Sequence, residues 1–200
     1  MKYVLIYLCI IFIVYCTINK SLNYELFNNQ FTNKFHHDYL ILNDKSSIPK
    51  VIISTYFDKK KIPNKVYENI KLFAPNYKYI IFDDEDIVLF LKKYYDSSVL
   101  NTFYMLNRGA FKADLFRYCY LYLFGGLYID IKTKLIKNID LILNKKNTNF
   151  YTVLSMHKGT VYQGIIACKP KNPIFLELIN HIVNVNKPIK RYFEFTKDFY

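Results

Sequence analysis

The sequence predicts an α/β protein built on a single, mostly parallel sheet flanked by helices, behind an N-terminal membrane-spanning segment. Three observations predict it. From residue 48 onward, short runs of β-favouring residues alternate with stretches of helical spacing. A Gly125-Gly126 pair ends the longest helical stretch and leads directly into a β-favouring run. An apolar run over residues 3–18 carries no charge between Lys2 and Lys20.

That run is shorter than the roughly 20 residues that span a bilayer comfortably. Flanking residues extend it by snorkelling and local thinning of the membrane. Residues 1–20 are therefore read as a signal-anchor. A cleaved signal peptide also fits the length, although no small-x-small site follows, and a buried helix is the plainest alternative. Residues 21–47, rich in Asn, Phe and His without clear periodicity, read as a stem. His36 and His37 there are adjacent, so they point apart and make a poor metal pair.

Residues 48–200 form the domain. Ile48-Pro49 opens it, and residues 50–55 read as a short buried strand. Pro63 permits a helix over 64–73, which Ala74-Pro75 terminates. A second strand covers 77–82 and is followed by an acidic turn, Asp83-Asp84-Glu85-Asp86. Residues 87–95 have helical spacing, and the longest helix runs over 108–124 to the glycine pair. Strands are expected over 127–131, 151–155 and 164–168. Asn172-Pro173 then starts a helix that reaches about residue 185. There is no internal repeat, Walker loop or GxGxxG motif.

Hydrophobic residues make up 52% of the 200, which excludes a disordered chain. Lys and Arg number 28 against 16 acidic residues, a formal charge of +12 that first suggests nucleic acid. The lysines are dispersed, apart from Lys59-Lys60-Lys61, and form no arginine-rich arm, so no nucleic-acid partner is expected. Abundant Lys, Asn, Ile, Tyr and Phe with no Trp is what an AT-rich genome writes. A basic surface still suits phosphorylated donors or anionic lipids. Among the cysteines, Cys119 and Cys168 sit in apolar runs and read as buried thiols, with a disulfide between them as the alternative.

The chemistry concentrates in Asn107-Arg108-Gly109-Ala110-Phe111-Lys112-Ala113-Asp114-Leu115-Phe116-Arg117-Tyr118 and in Gly125-Gly126-Leu127-Tyr128-Ile129-Asp130-Ile131-Lys132. Asp114 and Arg117 share one helix face, because residues three apart are neighbours there. A surface ion pair is the plain reading. Against it, the surrounding Ala113, Leu115, Phe116 and Tyr118 leave no polar face, and a charged pair in an apolar helix serves a ligand or a buried network. The glycines turn the chain into the next strand and place Asp130 at its C-terminal end, where α/β sheets hold ligands. A carboxylate there suits ribose or sugar hydroxyls, and a guanidinium grips hydroxyls or phosphate oxygens.

This stretch resembles glycosyltransferase family 32, the sugar-binding "DXD" family that includes yeast-type α-mannosyltransferases and is related to clostridial glucosylating toxins. The family pattern is Asp, two apolar residues, Arg, an apolar helix, then Gly-Gly-apolar-Tyr-apolar-Asp-x-Asp. Asp114, Arg117, Gly125, Gly126, Tyr128 and Asp130 match it in order and spacing. Ile48-Pro49-Lys50-Val51-Ile52, Pro75-Asn76-Tyr77, the Asp83–Asp86 segment and Gln163-Gly164-Ile165-Ile166-Ala167-Cys168 extend the match.

The resemblance implies a GT-A-type, Rossmann-like domain and a glycosyltransferase that moves a sugar from a nucleotide-sugar donor to a glycan or protein hydroxyl, with retention of configuration. It implies that Asp114, Arg117, Tyr128 and Asp130 bind the donor. With the anchor, it implies a single-pass type II membrane protein of a Golgi- or ER-like compartment with a luminal domain. One departure stands out. Lys132 occupies the position of the motif's second, metal-binding Asp, leaving Asp130 as the single carboxylate for Mn²⁺ or Mg²⁺. An ammonium two residues from Asp130 shares its face if the strand persists and can neutralise a leaving diphosphate. Asp130 and Lys132 are thus the expected catalytic pair. The alternative is an inactive, membrane-anchored relative that binds sugar nucleotides or glycans.

Overall fold

The computed structural model describes residues 47–144, 148–156 and 160–184. The expected anchor over 1–20 and nearly all of the stem lie outside them. Among the described residues no helix is long and apolar enough to cross a membrane.

The elements are β1 (Val51–Thr55), a 3-10 turn (Lys59–Lys61), α1 (Asn64–Phe73), β2 (Lys78–Phe82), α2 (Asp84–Tyr94), α3 (Ser97–Met105), α4 (Gly109–Phe124), β3 (Gly126–Ile129), α5 (Ile139–Ile142), β4 (Phe150–Leu154), β5 (Val161–Cys168) and α6 (Pro173–Asn184). They form one five-stranded sheet in the order β2-β1-β3-β5-β4. β1 pairs in parallel with β2 and β3, whereas β5 is antiparallel to both β3 and β4. Four strands therefore share a direction, but the sheet is mixed rather than mostly parallel in its pairings. The link between β4 and β5 over 155–160 is too short for a crossover, which takes a dozen or more residues, so the second strand must return antiparallel.

Local chemistry explains the boundaries. Asp83-Asp84-Glu85-Asp86 is a helix start and not a free turn. Asp83 caps α2 by accepting from the Asp86 N–H at 2.9 Å, and Asp86 accepts from the Asp83 N–H at 3.3 Å. Lys59 closes on both carboxylates and ties the 3-10 turn to this end of α2. α3 has no counterpart in the sequence expectation. Asp96 caps it, and only Val99, Thr102 and Phe103 are buried.

Two apolar clusters hold the layers. Ile52, Leu127, Ile129 and Ala167 of the sheet pack with Ile70 of α1 and with Leu135 and Ile139. An aromatic cluster joins β2, α2 and α4, with ring centroids 4.8 Å apart for Phe82–Phe116 and 5.3 Å for Phe90–Phe116. α4 is the central helix, buried continuously from Asp114 to Leu121. Cys119 and Cys168 are buried free thiols, as expected.

Gly125 and Gly126 make the α4–β3 turn possible. Their φ angles are +63° and +99°, a region that side chains disfavour. A Cβ on Gly125 would lie 2.6 Å from the Cys168 carbonyl oxygen, and one on Gly126 would lie 2.8 Å from that of Val51. The pair thus threads β3 between β1 and β5 and fixes where Asp130 emerges.

Candidate active site

A cavity of about 510 Å³ opens at the C-terminal ends of β1 and β3. All five residues singled out from the sequence (Asp114, Arg117, Tyr128, Asp130 and Lys132) line it. Tyr56 and Phe57 after β1, Lys112 of α4 and Tyr162 of β5 complete the walls that matter here. A volume of this size fits a ligand of nucleotide-sugar dimensions.

Asp114 and Arg117 are 0% and 4% exposed, so the absence of a polar face on α4 did mark a buried pair. Arg117 Nη2 stands 2.9 Å from Asp114 Oδ1 and 3.5 Å from Asp130 Oδ1. Nη1 donates to the Gln163 carbonyl at 2.5 Å, and the guanidinium lies 4.2 Å from the centre of the Tyr128 ring. Despite the ion pair, neither Asp114 oxygen accepts a directed hydrogen bond among the described residues. A buried carboxylate with free acceptor positions that faces a cavity is suited to ligand hydroxyls. Burial, helped by Asp130 and opposed by Arg117, pushes the Asp114 carboxyl up to about 6. For Arg117, burial pulls the guanidinium down. Asp114, then Tyr128 and Asp130, more than offset this and hold it firmly charged.

Asp130 is held at both oxygens. Tyr128 Oη donates to Oδ1 at 3.0 Å, and Tyr162 Oη donates to Oδ2 at 3.3 Å. Tyr128 is itself buried and also reaches Thr55 Oγ1 at 3.3 Å, so it braces Asp130 from beneath. Burial raises the Tyr128 phenol, which stays protonated and donating. Gly164 leaves room for this arrangement, because a Cβ there would lie 2.5 Å from Asp130 Oδ2.

β3 ends at Ile129, earlier than the expected strand over 127–131. Asp130 instead opens a turn that the Thr133 N–H closes on the Asp130 carbonyl at 2.8 Å. Lys132 consequently reaches the cavity from a turn, and not by sharing a strand face with Asp130. It is exposed.

This donor set does not fit a dedicated divalent cation. Ions such as Mg²⁺ take about six oxygens, one or two of them from carboxylates and the rest from substrate phosphates and water. Asp114 is buried beside Arg117, Asp84 accepts from Lys112 at 2.9 Å, and both Asp130 oxygens are engaged. No cluster of three metal-ligating side chains occurs among the described residues.

Tyr162 and Gln163 were missed as site residues. Their signal lay beside a segment already noted, Gln163-Gly164. Only the pairing of β5 with β3 brings them onto Asp130 and Arg117.

An α/β sheet with a buried acid–guanidinium pair and a tyrosine-braced aspartate at its strand ends is suited to a hydroxyl-rich ligand. Residues 61–149 match the model of the glycosyltransferase sugar-binding region containing DXD motif, in agreement with the resemblance read from the sequence. It is 27% identical over 156 residues to the initiation-specific alpha-1,6-mannosyltransferase of Saccharomyces cerevisiae, covering 74% of this chain and 32% of the relative. A mannosyl phosphorylinositol ceramide synthase of the same yeast is 29% identical over 143 residues, covering 70% and 36%. The chain thus spans about a third of the length of these curated relatives. Among solved structures, the PaToxG glycosyltransferase shares the fold, with a TM-score of 0.58 at 16% identity over 92% of this chain and 79% of that one.

Proposed function

We propose that the protein transfers a hexosyl group from a nucleoside-diphosphate sugar to a hydroxyl of a glycan or protein acceptor, with retention at the anomeric carbon. The observation that carries this reading is the Asp114 carboxylate: buried against Arg117, free of directed hydrogen bonds and facing a cavity that ends on Asp130 and Lys132. Asp114 accepts from donor hydroxyls, and Arg117 holds Asp114 and Asp130 in register while adding positive charge. Tyr128 and Tyr162 fix Asp130, which faces the ribose or the sugar.

In the transfer the acceptor oxygen bonds to the anomeric carbon as the bond to the diphosphate breaks. The diphosphate leaves with the electron pair. Lys132 neutralises the charge that grows there. Retention puts attack and departure on one face, where the departing oxygen is the nearest group to take the acceptor's proton. The mannosyltransferases among the relatives make mannose the first donor sugar to test.

The experiment is a panel of nucleotide sugars given to the full chain in detergent, with and without Mn²⁺, reading released nucleoside diphosphate. Turnover with one donor is expected. Binding without turnover would leave a sugar-nucleotide-binding relative, and binding of no donor would overturn the reading.

A further inference from the structure

A second cavity, of about 610 Å³, adjoins the donor pocket through Tyr56, Ile131 and Lys132, which line both. Its remaining walls come from the start of α1 and the segment after β3, including Ile62, Val66, Lys65 and Lys134. Three lysines line it and no carboxylate does. Four other lysines of the domain, by contrast, are matched by carboxylates: Lys50 by Asp140, Lys59 by Asp83 and Asp86, Lys61 by Asp58, and Lys112 by Asp84. The side chains of Lys65, Lys132 and Lys134 make no ion pair or hydrogen bond among the described residues. Asn69, the other polar side chain at this wall from α1, is engaged by Leu135 through both its amide atoms and so is structural.

Like charges around one concavity repel each other, and the low-dielectric wall concentrates their field. An anion with several oxygens removes that repulsion by accepting from more than one ammonium. Tyr56, Ile62 and Val66 add apolar surface for whatever carries the anion.

We propose that this cavity binds the phosphate group of a phosphorylated acceptor substrate, with Lys65 and Lys134 as its clamp and Lys132 on the wall shared with the donor. The anion site rests on the lysines and the cavity; its assignment to the acceptor rests on the transfer reading above. The phosphate comes either from a soluble phosphate ester, such as a phosphorylated glycan, or from a phospholipid headgroup, which widens the acceptor class proposed above to lipids.

The test is the thermal shift of the full chain in neutral detergent, since a ligand that binds only the folded state raises Tm. The probes are inorganic phosphate, glycerol 3-phosphate, and mixed micelles with phosphatidylinositol against phosphatidylcholine as the neutral control. A rise in Tm is expected with phosphate-bearing probes. In Lys65→Ala/Lys134→Ala the same rise should need about tenfold more probe or higher, the scale of a lost charge-assisted contact. Both side chains are exposed, so the variant's basal Tm should match that of the parent. A response to glycerol 3-phosphate assigns a soluble acceptor, and a response confined to phosphatidylinositol assigns a lipid. Equal responses in parent and variant, or none to any probe, would overturn the site. Lysine-dependent phosphate binding in a chain that binds no nucleotide sugar would overturn the acceptor role and the transfer reading, while the anion site stood.

Discussion

Asp114 is where the site's electrostatics become measurable. Its carboxyl is pushed up to about 6, chiefly by burial, against an unfolded value of about 3.9. The ionised form is therefore disfavoured in the folded chain. The stability it contributes is fully present below the unfolded value and is lost as pH rises through about 6. On the proposed reading donor binding runs the other way, because there the carboxylate accepts from ligand hydroxyls. We expect donor affinity to fall as pH drops through about 6, and this step to vanish in Asp114→Asn, read by calorimetry on either side of that pH. Asp114→Asn itself should weaken donor binding by about 1–3 kcal/mol. Its Tm should change little, since the amide is isosteric and Arg117 keeps the Gln163 carbonyl and Asp130. A collapse in Tm with normal binding by the remaining folded protein would make the pair structural. Lys132 carries the second expectation at this scale. Activity should depend little on divalent metal and fall severely in Lys132→Ala. Activity that EDTA abolishes and Mn²⁺ restores in the parent would show that a cation does the work instead.

At the scale of elements, the glycines of the turns decide where the site sits. Gly125→Ala puts a side chain at φ +63° and drives a Cβ into the Cys168 carbonyl. A loss of stability of about 1–3 kcal/mol or more is expected, read as a lower urea midpoint. Gly164→Ala should behave differently. There the new methyl meets the Tyr162 ring and the Asp130 carboxylate, two side chains that can move aside. Donor affinity should fall about tenfold, the scale of one displaced hydrogen bond, while the urea midpoint stays nearly fixed. Element identity was largely legible in advance. α1 runs over the expected residues because Pro63 and Ala74-Pro75 bracket it. α2 began earlier than its apolar spacing suggested because Asp83 and Asp86 form a capping box, a pattern present in the sequence but read as a turn. α3 went unread because only three of its positions are buried, too few for an apolar period to stand out.

For the whole molecule, the apolar run over residues 3–18 motivates a proposal independent of the described domain: the chain is anchored in a membrane with its domain on the luminal side. Alkaline extraction of membranes should leave the full chain in the pellet, and its release to the supernatant would sink the idea. The sequence by itself determined the α/β class and the identity of most elements, and with the family resemblance it picked out five of the residues lining the cavity. These are local properties: periodicity, turn chemistry, and the spacing of Asp114, Arg117, Tyr128 and Asp130. It could not determine that β5 runs against β3, because strand direction depends on which strands pair and how short a link joins them. Nor could it show that Tyr162 and Gln163 close on Asp130 and Arg117, or that Lys132 arrives from a turn, because neither follows from neighbours in sequence. Tertiary structure alone brings Lys65 together with Lys134 across a cavity, since α1 and the segment after β3 meet only when the sheet forms.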